Sequence, residues 1–339
     1  MRLLVLGGTD FVGRTVVEDA VRRGWEVTVF HRGNNEVPRG ARSLRGDRTA
    51  PDGLAALADG TWDAVVDTWS AAPRAVREAA RLLAGRVGHY AYVSSLSVYD
   101  WPRPAGFTEE EPTVTGADPG AGRTDYARDK RGGELAAVES FGTEASLLVR
   151  AGMILGPYEN IGRLPWWLHR IARGGDVLAP GPRELAVSYV DARDLAAWVL
   201  SAVERGVSGP YNVSGTPGRA TMGELLDACV RVTGGTARLR WTEPGTVLAA
   251  GIEPWTQLPM WVPRGTELES GVFGADVSRA TREGLRHRPA EETVADTWAW
   301  LRTLDGHAPR RAGRPDVGLD PAVEARVLAA SSGSPETDR

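Results

Sequence analysis

The sequence predicts an α/β fold built on a doubly wound parallel sheet, and three observations carry that prediction. Leu3 to Leu6 is a short apolar run without polar alternation, the pattern of a strand buried on both faces. It leads directly into Gly7-Gly8-Thr9-Asp10-Phe11-Val12-Gly13, and from Val12 to Arg23 the apolar residues Val16, Val17, Ala20 and Val21 recur at helical spacing. Further short strands then alternate with helical stretches: Glu26 to Phe30, a third strand ending before Gly46, Ala64 to Asp67, a helix from Arg74 to Leu83, and Tyr90 to Ser94.

Strand, glycine turn and helix together form the context in which such a motif binds a dinucleotide. Gly7 permits the tight turn. Gly13 lets the helix pack close to the strand, and the helix N-terminal amides face the pyrophosphate. Thr9, Asp10, Phe11 and Val12 complete that cradle. At the end of the second strand, a carboxylate that accepts from the adenosine ribose marks an NAD enzyme. Here the residues are His31-Arg32, and a guanidinium in that place pairs with a 2′-phosphate, so NADP is the expected cofactor and NAD the alternative. Asp10 is acidic and argues the other way. After the third strand, Asp47 is placed to accept from the adenine amino group or simply to close a turn.

One pair of residues points to chemistry. Of 40 Lys and Arg residues only Lys130 is lysine, and it stands four residues after Tyr126, one of 7 tyrosines. Arginine serves on a solvated face, but it is a wide fork that does not deprotonate, whereas lysine is a compact charge on a slim stem. The i,i+4 spacing puts both side chains on one face of a helix. The fifth strand ends in Ser94-Ser95-Leu96-Ser97-Val98-Tyr99, at the edge of the sheet where such folds place their sites. Ser95 is placed to donate to a substrate carbonyl, Tyr126 to transfer a proton, and Lys130 to favour the phenolate. The plainer reading of Ser95 is a strand-end turn serine.

Composition sets the outer limits. The 339 residues suffice for one large domain or two smaller ones, and 42% hydrophobic with 25% charged residues is ordinary for a soluble enzyme. A net charge of -4 gives no general attraction to nucleic acid or anionic membrane. The single Cys229 forms no internal disulfide, and 5 scattered histidines lack ligand spacing, so neither a staple nor a metal is expected. The compartment expected is reducing, the cytoplasm, because Met1 to Leu6 runs into Gly7 without room for a signal peptide and no apolar run spans a bilayer. From Asp305 to Arg339 the chain reads as a polar tail in which Pro321 to Ala330 has the pattern of one short helix.

These motifs make the chain resemble the extended and atypical short-chain dehydrogenase/reductase superfamily, in its NAD-dependent epimerase/dehydratase branch. The matching residues also include Arg150-Ala151-Gly152, Gly156-Pro157 and Val190-Asp191-Ala192-Arg193-Asp194, so the likeness runs from residue 1 to about 305. The resemblance implies a Rossmann sheet with a smaller C-terminal substrate domain. The division implied is 1–150 with about 176–215 for the dinucleotide, and 151–175 with about 216–305 for the substrate. It also implies a Ser95, Tyr126, Lys130 triad in which Lys130 holds the nicotinamide ribose. Three positions depart from the pattern. Asp10 replaces the middle glycine, which brings the chain nearer atypical members whose turn reads Gly-Gly-Thr-Arg-Phe-Ile-Gly, and Ala151 replaces a common proline. Leu96-Ser97 stands where sugar dehydratases resemble one another in an Asp-Glu pair, which disfavours dehydration.

In family members the segments after Arg150 roof the substrate pocket, so Tyr158, Arg163 and Trp166 join Trp69 and Ser97 as candidate substrate contacts. The tryptophans Trp166 and Trp167 serve equally well to close a small domain's core. The activity expected is NADPH-dependent reduction of a carbonyl, or oxidation of the alcohol, in a small organic molecule. Two alternatives stand beside it: a nucleotide-sugar epimerase that keeps NAD tightly bound, and a non-catalytic RNA-binding or regulatory protein on the same fold. The intact Ser95, Tyr126 and Lys130 set and the lack of a basic face argue against the last. Relatives dimerise through two helices, here Arg74 to Leu83 and the one beginning at Tyr126. The small residues Ala79, Ala80 and Ala136, with Leu83 and Leu135, suit such a homodimer.

Overall fold

The computed structural model describes residues 1–304, 308–311, 313 and 316–332. The chain divides into two compact units, the first made of 1–153, 190–214 and 275–287, the second of 154–189, 215–274 and 288–339.

The first unit is the doubly wound sheet. Strands β1 (Arg2–Leu6), β2 (Glu26–His31), β3 (Arg42–Arg45), β4 (Trp62–Asp67), β5 (Val87–Ser95) and β6 (Ser146–Ala151) are joined by a seventh, Gly209–Val213. Their order is Gly209–Val213, β6, β5, β4, β1, β2, β3, and every pairing is parallel. Chain direction across the sheet therefore reverses at β1. Leu3 to Leu6 are at most 1% exposed, as an apolar run covered on both faces requires. The register sets Leu6 beside Phe30 and Asp67, and Asp67 beside Tyr92, so the carboxyl ends of β1, β2, β4 and β5 form one edge. In doubly wound sheets the ligand crevice lies there.

Helices α1 (Phe11–Arg22), α2 (Pro73–Leu83) and α3 (Tyr126–Phe141) follow β1, β4 and β5. Helix α2 starts with Pro73 in its first turn, where a missing amide costs nothing. Val76, Ala79, Ala80 and Leu83 of α2, and Ala136 and Ala137 of α3, are fully buried in one cluster with Tyr90, Tyr92 and Leu148 of the sheet. The small residues expected to face a second subunit thus belong to this unit's own core.

Helix α3 owes its position to Gly133, an otherwise unfavourable residue within a helix. A Cβ there would lie 2.4 Å from the Tyr92 hydroxyl. Its absence brings α3 onto β5 and carries Lys130 to the edge of the sheet.

The second unit contains a parallel pair, Gly175–Pro180 with Ala237–Thr242. Helices α4 (Arg163–Ala172) and α6 (Met222–Thr233) pack with Ala290–Leu301; α5 (Ala192–Glu204) belongs to the first unit. Thr221 and Glu224 form a capping box that starts α6. Trp167 and Trp261 are fully buried, and their indole N–H groups donate to Pro259 O at 2.8 Å and Gly181 O at 3.1 Å. These two tryptophans close a core.

The division differs from the sequence expectation at 151–153, which belong to the first unit, and in two larger segments. Residues 176–189 fall in the second unit because Gly175–Pro180 pairs with Ala237–Thr242 and not with the large sheet, and 275–287 fall in the first. The C-terminal stretch is more than a solvated tail. Its helix Pro321–Ser332 is anchored by Glu324, which accepts from Arg170 Nε at 2.6 Å and from Leu178 N at 3.1 Å. Residues 305–307, 312, 314–315 and 333–339 of that stretch lie outside the described residues. Among the described residues no helix is long and apolar enough to cross a membrane.

Candidate functional site

The glycine turn closes at the carboxyl end of β1. Gly7 has φ +94, and its N–H donates to Phe30 O at 3.0 Å. A Cβ on Gly13 would lie 2.2 Å from Gly7 O, so the helix can start this close to the strand only with glycine at that position. Asp10 is the extended N-cap residue, and its side chain makes no cap hydrogen bond. Phe11 follows with φ 29 and is buried, while Thr9 and Val12 are partly exposed. No acidic residue stands in the first turn of α1. A cradle that one Cβ would fill, with helix amides at its edge, fits a dinucleotide pyrophosphate.

At the end of β2, His31 and Arg32 serve different purposes. Gly33 N–H donates to His31 Nδ1 at 3.2 Å and Nε2 lies 2.8 Å from Ser43 Oγ, which assigns the ring proton to Nε2. Burial, and then the Arg45 charge, lower the pKa of the imidazole. His31 thus acts as a neutral tie between the ends of β2 and β3. Arg32 is exposed beyond it, and a Cβ on Gly33 would lie 3.5 Å from Arg45 Nε, so a second guanidinium borders the same turn. Asp47 accepts from Thr49 Oγ1 at 2.7 Å and Thr49 N at 2.9 Å. These bonds, aided by Arg32, hold its carboxyl below the usual range. The turn-forming reading of Asp47 is therefore realised, on the same carboxylate expected at the adenine.

Lys130 and Ser95 lie at the carboxyl ends of β4 and β5. Lys130 is 3% exposed, and its ammonium donates to Trp69 O at 2.6 Å and Val93 O at 2.5 Å, 4.7 Å from the Tyr92 ring centroid. Two residues beyond Val93, Ser95 Oγ accepts from Ser97 N at 3.1 Å and donates to Ser97 Oγ at 3.2 Å. Ser95 thus caps the short turn Leu96–Val98 as well as standing at the strand end. Tyr126 is the first residue of α3, one turn before Lys130; it is 36% exposed, and Asp125 caps the helix by accepting from Arg128 N. One turn after Lys130, the buried Glu134 accepts from Ser94 Oγ at 2.7 Å and pairs with Arg150 at 3.0 Å. That network ties α3, β5 and β6 together beside Ser95. Trp69 presents its carbonyl to Lys130 and turns its indole N–H to Ala72 O at 2.9 Å.

Sequence reasoning passed over three residues here. Arg48 and Asp67 form a buried pair, and Arg103 lies 4.8 Å from the Phe107 ring centroid while donating to Leu96 O at 2.8 Å. Burial pushes the Arg103 pKa down to about 10. Asp67 carried a readable signal, a carboxylate ending the apolar run Ala64 to Val66.

The second unit holds the remaining candidates. Tyr158 has φ +69 and meets Trp300 edge-on at 5.6 Å; Arg163 lies 4.8 Å over the Trp255 ring. The Trp166 indole is pressed against Gly318, where a Cβ would lie 2.1 Å from Nε1. Beneath them Glu159 is fully buried and accepts from Arg163 N at 2.7 Å and Leu164 N at 3.1 Å, closing the start of α4. Burial pushes this carboxyl up to about 7, against the pull of Arg163 and the amides. Because its folded pKa exceeds the reference 4.5, the folded chain holds the proton more tightly. The Glu159 contribution to stability is full below that reference value and is lost as pH rises through about 7. Glu159→Gln is therefore expected to flatten the fall in Tm across this interval. An unchanged profile would show that the carboxyl does not titrate there.

The model of the NAD dependent epimerase/dehydratase family matches residues 3–214. The comparison with curated proteins gives no match. Among solved structures, the chain is similar to the Bordetella bronchiseptica enzyme WbmH in complex with NAD+, at 20% identity and TM-score 0.66, over 90% of this chain and 99% of that one. UDP-glucuronic acid 4-epimerase from Bacillus cereus, in complex with NAD, is 13% identical with TM-score 0.64, over 89% and 99%. UDP-glucose 4-epimerase from Thermotoga maritima, with UDP-glucose, is 19% identical with TM-score 0.61, over 89% and 99%. At these identities the likeness is one of fold.

Proposed function

Because the chain belongs to the NAD dependent epimerase/dehydratase family, we propose that it is an NADPH-dependent reductase of a carbonyl in a small organic molecule. The same groups run the alcohol oxidation in reverse. The observation that carries this reading is the placement of Lys130, the lone lysine, one turn after Tyr126 and against the carbonyls of Trp69 and Val93, the latter two residues before Ser95 at the end of β5. When bound, the nicotinamide supplies or takes up the hydride. Ser95 donates a hydrogen bond to the substrate carbonyl oxygen, and Tyr126 gives that oxygen its proton. Lys130 holds the ribose hydroxyls and favours the phenolate that remains. The Gly7 to Gly13 turn holds the pyrophosphate, with Asp47 at the adenine.

Arg32, with Arg45 beside the same turn, supports NADP. Arg32→Asp puts a carboxylate where the 2′-phosphate would sit, and should shift preference from NADPH toward NADH by about 1–3 kcal/mol, the scale of a charge-assisted hydrogen bond. Paired titrations of both cofactors check this; an unchanged ratio would place specificity elsewhere. The reductase itself is tested by following NADPH consumption over a panel of aldehydes and ketones.

A second reading, a nucleotide-sugar epimerase, is favoured by the similar structures, which include two UDP-sugar 4-epimerases. It would need a tightly held NAD that takes up a hydride and gives it back within one cycle, with Ser95, Tyr126 and Lys130 in the same roles. It differs in how the cofactor is kept, which makes the two readings separable.

A further inference from the structure

Lys130 is held by a carbonyl that is itself held. Trp69 O accepts from Lys130 Nζ at 2.6 Å and from the Tyr92 hydroxyl at 3.1 Å. On its other side, Trp69 N–H donates to Asp67 Oδ1 at 2.9 Å. Asp67 is fully buried and is gripped by the Arg48 fork, with Nη1 to Oδ1 at 2.7 Å and Nη2 to Oδ2 at 2.8 Å, while the Tyr90 hydroxyl donates to Oδ2 at 2.6 Å. Arg48 is 6% exposed, donates twice more to Ala75 O, and lies 5.1 Å from the Trp69 ring centroid. Backbone N–H, carbonyl and indole of Trp69 are thus all fixed, and the pair reaches two of the three.

A buried ion pair is a poor source of stability, since apolar residues of similar volume often serve as well. What this pair supplies is geometry. Its fork leaves Asp67 Oδ1 aimed at the Trp69 N–H, and Arg48 follows directly on Asp47 at the turn assigned to the adenine. We propose that Arg48 and Asp67 are positioning residues for Lys130: they fix the Trp69 carbonyl against which the ammonium rests, and through it the grip on the nicotinamide-side ribose. This inference rests on the reading of Lys130 given above.

The test compares a whole cofactor with its adenosine end by calorimetric titration: NADPH against 2′,5′-ADP, and NADH against ADP. Replacing the cluster together, Arg48→Met with Asp67→Leu and Tyr90→Phe, removes both charges at once and leaves none stranded. The expected result is a Kd for the dinucleotide raised about tenfold, the scale of a hydrogen bond to a charged group, with the Kd for the adenosine fragment unchanged. A purely structural role weakens both ligands by the same factor or neither, and either outcome overturns the inference. If the triple variant does not fold, Arg48→Lys keeps the charge without the fork and is read in the same way. Arg170→Met with Glu324→Gln, a comparably buried pair in the second unit, should leave both affinities unchanged; selective loss of dinucleotide affinity there would also count against a special role for Arg48. Lys130→Met separates the two claims. If it leaves dinucleotide affinity intact, the reading of Lys130 itself fails; if it weakens NADPH while the cluster variant does not, only the positioning role fails.

Discussion

Tyr126→Phe is expected to lower carbonyl reduction by about 10²–10⁴-fold, the usual worth of a positioned proton donor, with NADPH affinity nearly unchanged. The hydroxyl is lost but little else moves. Tyr126 is the first residue of α3 and 36% exposed, the Asp125 cap uses Arg128 N, and Lys130 is held by Trp69 and Val93. Such a change should shift stability by no more than about 0.5 kcal/mol. Steady-state rates with any carbonyl substrate from the panel, beside a thermal melt, separate the two effects. Full activity in the phenylalanine variant would remove Tyr126 from the chemistry.

Lys130→Arg should abolish turnover and also destabilise the fold. The ammonium occupies a slot between two carbonyls over the Tyr92 ring, at 3% exposure. A planar guanidinium is wider and cannot address both carbonyls from the same point. Forcing it in is an overpacking change that costs about 1–3 kcal/mol. The measurement is again a melt with a rate; a variant with native Tm and native rate would mean that the single lysine is an accident of composition.

How far the sequence could be read depended on whether the cause was local. The β1, glycine turn and α1 unit was legible because Gly7 and Gly13 answer steric demands a few residues away. The start of β5 was placed at Tyr90, three residues late, because Gly88 and His89 interrupt the apolar run; the strand begins at Val87, which pairs with Trp62. The strand Gly209–Val213 went unread, since Gly-Pro-Tyr-Asn-Val has neither a clean apolar run nor alternation, and only pairing with β6 makes it a strand. The stripe of Ala79, Ala80 and Leu83 was visible as a pattern, but periodicity names no partner, and the partner was the sheet beneath.

The candidate site followed the same rule. Tyr126 and Lys130 are four residues apart on one helix and could be read together. Arg48 lies in the turn after β3 and Asp67 at the end of β4, 19 residues on, and a sequence without contacts gives no reason to pair them. Helix Pro321–Ser332 was legible from its pattern, whereas its anchoring by Glu324 on Arg170 was not, because that bond spans 154 residues.

A carbonyl reductase exchanges its NADP with every turnover, so denaturing the purified protein and identifying the nucleotide released separates it from an epimerase. The expected result is an empty site, or one that gives up its nucleotide to added NADPH during purification. One equivalent of NAD per chain, retained through extensive dialysis and freed only on unfolding, would contradict it and establish the epimerase reading in its place.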